Sequence, residues 1–193
     1  MAGEHHPWLI LGTSHVGKST CATHLGEALG RRVISTDKLG RHPGRPWTGV
    51  PEPVLEFYHS LSDTTLHWFL KVHHQNIRPV IHALIAEASE GDAIILEGAS
   101  LRPEFFDQWN VAPCWALCLH AQDEELRERA YRNSAYAEQP DPIQAAIDAF
   151  LRRSLLENTA LVEAARGLGV PLFDTTGLST DEVAKTVLAH VVK

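Results

Sequence analysis

Residues 12–19 read Gly-Thr-Ser-His-Val-Gly-Lys-Ser, a complete G-x-x-x-x-G-K-[ST] pattern. The chemistry behind that spacing is phosphate binding. The glycines let the backbone curl so that successive amides point inward at negative charge. A helix that starts at the end of the loop adds the positive end of its dipole. Lys18 can bridge β- and γ-phosphates, and the Ser19 hydroxyl can ligate magnesium. Gly12, Thr13, Ser14, His15, Val16, Gly17, Lys18, Ser19 and Thr20 are therefore the expected nucleotide-binding set. The expected ligands are ATP and Mg2+, because no guanine-reading N-K-x-D occurs in the chain.

Other chemistry-bearing residues are unevenly spread. Arginines cluster at Arg41 and Arg45, at Arg127, Arg129 and Arg132, and at Arg152 and Arg153. Clusters of this kind in a chain of formal net charge −7 suit small anions such as phosphates. The twelve histidines form no metal-ligand spacing: His73 and His74 are helical neighbours facing different directions, and His5 and His6 lie in the terminus. The three cysteines, Cys21, Cys114 and Cys118, read as buried thiols.

The elements that must position these residues follow from hydrophobic periodicity. Short apolar runs at Trp8–Leu11, Arg32–Ser35, Ala93–Leu96, Cys114–Leu119 and Val170–Phe173 read as strands covered on both faces. Helical patterns lie between them, which marks an α/β fold with a five-stranded parallel sheet. Helical spacing holds over 64–88, where Pro79 predicts a kink or a division into two helices. Trp68 and Phe69 in that stretch read as core, with a dimer face as the alternative. Asp141-Pro142 with Gln144 predicts a box-like cap opening the next helix, and Ser179 with Glu182 predicts a capping box for the last one.

The loop, its flanking strand and helix, and the order of elements resemble the P-loop small-molecule kinases. That set is the nucleoside-monophosphate-kinase-like group with shikimate kinase, gluconate kinase and chloramphenicol phosphotransferase. Within it the chain looks most like kinases described as 2-phosphoglycerate kinases. The resemblance spans nearly the whole chain as an order of elements, with the loop as its specific motif. It implies a P-loop NTPase three-layer sandwich in one domain, with a small helical lid at about 127–141.

Several roles come with the resemblance. An acidic residue after the second strand faces the acceptor hydroxyl in such kinases, and Asp37 occupies the matching position. A carboxylate there can accept the hydroxyl proton and orient the attacking oxygen. Glu97, ending the third apolar run, matches the acid that holds the magnesium water shell, and it is the alternative general base. Arg129 and Arg132, three apart and so on one helical face, match lid arginines that stabilise the transferring charge. Thr175 and Thr176, in the loop leaving the fifth strand, match the strip that packs on adenine. Arg41, Arg45 and Trp47, in a loop stiffened by Pro43 and Pro46, suit an acceptor site. Arg102 is expected to reach that acceptor by its place in the order, and Arg153 to point into the site.

The 193 residues suffice for one domain, and 44% hydrophobic with 21% charged residues is an ordinary globular balance. No apolar run approaches the roughly 20 residues needed to span a bilayer. Residues 1–7 carry no basic leader pattern, so the expected location is the cytoplasm. The negative net charge gives no support to a nucleic acid partner. The expected partners are a small-molecule acceptor and, at most, a second copy, the chain being a monomer or homodimer. The leading expectation is an ATP-dependent phosphotransferase acting on an alcohol group. The alternatives are a partner-regulated ATPase or GTPase switch, and a kinase-like toxin or antibiotic-modifying phosphotransferase.

Overall fold

The computed structural model describes residues 6–47, 49–90 and 93–192. His5 lies outside them. Five parallel strands form one sheet in the order β2-β3-β1-β4-β5. They are β1 (Trp8–Leu11), β2 (Arg32–Ser35), β3 (Ile94–Glu97), β4 (Ala116–His120) and β5 (Leu172–Asp174). Seven helices are present among the described residues: α1 (Lys18–Leu29), α2 (Glu52–Ser60), α3 (Asp63–Glu90), α4 (Phe106–Trp109), α5 (Asp123–Ser134), α6 (Asp141–Gly167) and α7 (Thr180–Val191). Helices cover both faces, so the architecture is the expected three-layer P-loop sandwich.

Side-chain alternation along the strands builds the two apolar layers. Leu9 and Leu11 of β1 join Ile94 and Leu96 of β3 on the face covered by α3 and α6, with Ile81, Ile85 and Leu161. Trp8 and Ile10 join Ile95, Leu117 and Leu119 on the other face, under α1 and α7, with Leu25 and Val187. A third, smaller cluster of Tyr58, Leu66, Ala149 and Phe150 lies where α2, α3 and α6 meet, with Trp47 packed against it.

Several boundaries differ from the sequence expectation. α3 runs unbroken through Pro79. Pro79 and Gln75, four residues back, are both exposed, so the carbonyl freed by the missing amide faces solvent. Trp68 is 63% and Phe69 39% exposed, so neither is core. The buried face of this helix runs instead through Leu66, Leu70, His74, Ile77, Ile81 and Ile85. Asp141 is the first helical residue of α6, not its cap. Pro140 is the cap residue, and Gln144 Nε2 donates to the Gln139 carbonyl at 2.9 Å. The Ser179–Glu182 capping box of α7 forms with both of its hydrogen bonds. Cys21 and Cys118 are buried, and burial pushes both thiols up to about 12. Cys114 is exposed, because a 3-10 turn at Pro113–Trp115 delays β4 until Ala116.

Candidate active site

The phosphate-binding loop leaves β1 at the carboxyl edge of the sheet and enters α1 at Lys18. Gly12, His15 and Gly17 all have positive φ, the curl that turns the intervening amides to one side. Gly12 is also a close approach, since a Cβ there would strike the Leu119 carbonyl. The loop is tied down from outside: Thr13 Oγ1 donates to the Ser154 carbonyl of α6 at 2.9 Å. Lys18 is 6% exposed and its ammonium donates to the Thr13 carbonyl at 2.8 Å, within the loop it serves.

The ends of β2 and β3 are laced together next to this loop. Thr36 Oγ1 donates to the Glu97 carbonyl at 3.1 Å and accepts from Ser100 Oγ at 2.6 Å. Gly98, at φ +153°, has no room for a side chain against Thr36. That contact sets Asp37 beside the β3 end, with its carboxylate open to solvent. Glu97 is 2% exposed. Its Oε1 accepts from Ser19 Oγ at 3.1 Å, while its Oε2 is buried with no partner. A hydroxyl and a carboxylate with one orphaned oxygen form a donor set that suits a hydrated divalent cation, so Ser19 and Glu97 fit magnesium.

Two cavities open around these residues. An outer one of about 500 Å³ is lined by the loop from Ser14 to Thr20, by Arg129, Arg132 and Asn133 of α5, and by Leu178–Thr180. An inner one of about 300 Å³ is lined by Ser35–Lys38, His42, His73, His74, Ser100 and Arg153. Ser14, Asp37 and Arg45 line both.

His15 stands between the loop, α5 and the segment that follows β2. Its ring stacks on Trp47 at 5.9 Å and meets the Phe150 edge at 6.1 Å. Burial, reinforced by Arg45, Lys18, Arg129 and Arg153, pulls its pKa down to about 4. The ring is therefore neutral, and its Nδ1 accepts from the Asn133 amide nitrogen at 3.0 Å. Tyr58 Oη donates to the Gly44 carbonyl at 2.5 Å, which pins the same segment to α2. His42 and His73, 5.1 Å apart, flank the inner cavity, and burial lowers both despite the opposing pull of Asp37.

The site residues anticipated from sequence divide into three groups. Gathered at the cavities are Ser14–Thr20, Asp37, Arg45, Arg129 and Arg132, with Trp47 stacked at the rim on His15. Arg129 braces the site from within. It pairs with Glu125 at 2.7 Å and donates to the His15 carbonyl at 3.2 Å and the Thr175 carbonyl at 2.6 Å. Arg41 is exposed and lines neither cavity.

Arg102 and the two threonines fall elsewhere. Arg102 is buried away from both cavities, held by Glu157 at 2.6 Å and Glu104 at 2.8 Å. Burial alone would lower its pKa, but those two carboxylates raise it. Thr175 is fully buried and donates to the His120 carbonyl, while Thr176 accepts from the Gln122 amide. The strip that faces the outer cavity is Leu178–Thr180, next in the chain. The segment expected as a lid at about 127–141 is the end of α5, a left-handed turn at Ala135 and a 3-10 turn at Tyr136–Glu138. Tyr131 and Tyr136 stack at 4.1 Å and both donate to Asp148.

Sequence reasoning missed His42, His73 and Asn133 as site residues, and they become neighbours only through folding. His15 was expected as part of the nucleotide loop, and the structure adds its ring contacts with Trp47 and Phe150.

No protein-family model and no curated protein matches the sequence. Solved structures do match over nearly its full length. A gluconokinase from Sinorhizobium meliloti 1021 superposes with a TM-score of 0.63 at 17% identity, covering 98% of this chain and 93% of its own. A shikimate kinase from Acinetobacter baumannii, in complex with shikimate, gives 0.50 at 19% identity, covering 99% and 96%. A thymidylate kinase from Candida albicans gives 0.51 at 17% identity, covering 98% and 92%. The chain therefore has the P-loop small-molecule kinase fold. Among the described residues, no helix is long and apolar enough to cross a membrane.

Proposed function

We propose that this protein transfers the γ-phosphoryl group of ATP to a hydroxyl of a small polar metabolite. The observation that carries the reading is the position of Asp37, on the wall shared by the cavity under the phosphate-binding loop and the inner one. A carboxylate at that boundary can meet both reactants, and the fold shared with gluconokinase and shikimate kinase structures supports the same reading.

In the reaction, the acceptor oxygen forms a bond to the γ-phosphorus, and the bond from that phosphorus to the β,γ-bridging oxygen breaks. ADP leaves with the electron pair of the broken bond, and the hydroxyl proton passes to Asp37. When bound, magnesium would be held by Ser19 and Glu97 and would supply charge neutralisation on the phosphates. Lys18 swings from the Thr13 carbonyl to the phosphates. Arg132, exposed at the outer cavity, adds charge from the side of α5. Arg129 keeps α5, the loop and the β5–α7 connection in register. His15, Trp47 and Phe150 form an aromatic wall that limits water access. The lining of Leu178–Thr180 and Val183 offers an apolar edge and backbone groups for the base.

The test is ADP release from MgATP against a panel of hydroxylated metabolites, with Asp37→Asn in parallel. Stimulation by one acceptor, lost in the variant while ATP still binds, is the expected result. Equal basal hydrolysis in both proteins with no stimulation overturns the proposal.

A further inference from the structure

The fourth residue of the phosphate-binding loop carries a side chain, although its backbone is in the left-handed region. His15 sits there at φ 69°, between Ser14 and Val16. An L residue in that conformation bears strain that glycine would not, and strain of this kind persists where the side chain has a task. The contacts of the imidazole say what the task is.

One ring nitrogen is satisfied and the other is not. Nδ1 accepts from the Asn133 amide nitrogen of α5 at 3.0 Å, which places the proton of the neutral ring on Nε2. Nε2 is buried and, among the described residues, has no hydrogen-bond partner. The stack on Trp47 at 5.9 Å and the Phe150 edge at 6.1 Å hold the ring in this setting. A buried N–H without an acceptor is costly, so a donor held this way marks the place of an incoming oxygen.

The surroundings say whose oxygen it is. His15 lines the outer cavity and not the inner one, so its partner belongs to the nucleotide rather than to the acceptor. That lining sets Lys18, Arg45, Arg129 and Arg132 against Asp37 and Glu125, an excess of positive charge that favours an anionic oxygen. Burial keeps the ring neutral, and Arg45 is the strongest of the charges that reinforce it. Arg45 in turn lines both cavities, which puts His15 at the end of the nucleotide nearest the acceptor.

We infer that His15 reads the terminal phosphate: its Nε2–H donates to an oxygen of the γ-phosphoryl group, so that the loop itself favours ATP over ADP. The inference rests on the phosphotransfer reading above and adds a specificity-determining side chain to its nucleotide site. Backbone amides of the loop serve whatever phosphates are bound, whereas this donor reaches a group that only the triphosphate has. A hydrogen bond to a charged oxygen is about twice as strong as one between neutral groups. Transfer of the γ-phosphoryl group removes the acceptor of that bond and so favours release of ADP.

The experiment measures direct binding of ADP and of the β,γ-imido analogue of ATP to the full chain with magnesium, in the parent, His15→Phe, His15→Gly and His15→Gln. Phe keeps a ring against Trp47 and Phe150 but removes both nitrogens, and Gly removes the ring while relieving the backbone. In both, affinity for the analogue should fall roughly tenfold or more, with ADP within about twofold of the parent. Gln, whose amide keeps a donor, should recover part of the difference. If His15→Phe binds neither ligand, the ratio in His15→Gly decides alone. An equal loss for both ligands, or an unchanged ratio, makes His15 a packing residue and overturns the inference. Binding is read without turnover, so the phosphotransfer reading fails separately: a chain that loses its analogue preference in these variants, yet whose parent no hydroxylated compound stimulates, keeps the γ-phosphate contact and overturns the transfer.

Discussion

Ser19 Oγ donates a 3.1 Å hydrogen bond to Oε1 of Glu97, joining the first turn of α1 to the last residue of β3. The pair fixes where a cation can sit relative to the phosphate-binding loop, because Glu97 Oε2 remains buried and unpartnered at the same place. Glu97 enters neither cavity lining, whereas Asp37 enters both. The two acids are thereby separated into one suited to the cation and one suited to the acceptor.

Glu97→Gln should therefore raise the magnesium concentration needed for half-maximal activity by roughly tenfold or more, since a carboxylate contact to a hard cation is lost. Nucleotide binding without magnesium should change little. A magnesium titration of activity and of ATP affinity checks this, and an unmoved midpoint would remove Glu97 from the cation site.

The cluster around Glu157 is a stability element. This fully buried carboxylate accepts from Arg102 at 2.6 Å and His67 at 2.7 Å, tying α6 to α3 and to the segment after β3. Burial pushes its pKa up, but the His67 hydrogen bond and the Arg102 charge overcome that and hold it below the ordinary carboxylate range. Removing one partner of a buried pair costs about 3 kcal/mol or more. Glu157→Gln should lower Tm by on the order of 10 °C in a chain of this size. A denaturation midpoint within experimental error of the parent would contradict this.

Acid should destabilise the fold from near neutrality downward. Burial lowers His15 to about 4 and His74 to about 3, from an ordinary value near 6.5. Between those values the unfolded chain takes up protons that the folded one refuses, so stability falls as pH drops below about 6.5. Glu157 acts with the same sign lower down: its stabilisation is present above the ordinary carboxylate pKa and is lost as pH falls through its depressed folded value. Chemical denaturation at a series of pH values should show a continuous decline, shallower in His74→Gln. A flat profile between pH 7 and 5 would refute this account of the histidines.

Trp47 holds the segment after β2 against the loop through His15 and Phe150, at 5.9 and 5.2 Å. Aromatic pairs of this kind contribute about 0.5–1.5 kcal/mol each beyond their buried area. Trp47→Ala should raise the acceptor KM roughly tenfold while ATP affinity shifts far less. Steady-state kinetics with each reactant varied separately tests the split, and an equal loss for both would make Trp47 a general folding residue.

Much of the architecture was legible because it is local. The curl of residues 12–19 depends on glycines and on a helix starting at a fixed offset. The β1 core pattern depends on four consecutive apolar residues, and the α7 start on two residues three apart. Where local rules compete with long-range packing, sequence reading failed. Pro79 does not break α3, because its free carbonyl partner lies on the solvent side. Trp68 and Phe69 are exposed, because the packed face of that helix is set by α6 and the sheet.

The sequence by itself determined the phosphate loop, the alternation of strands and helices, and the candidate acids at two strand ends. Each is a matter of backbone geometry and periodicity within a few residues. Only the tertiary structure decided which charge is free to act. Arg102 and Arg153 look alike in the sequence, yet Arg102 meets Glu157 from a position 55 residues away and is neutralised, while among the described residues Arg153 has no carboxylate within ion-pair distance. Electrostatic compensation depends on distance in space, and the chain order of the two arginines carries no information about it.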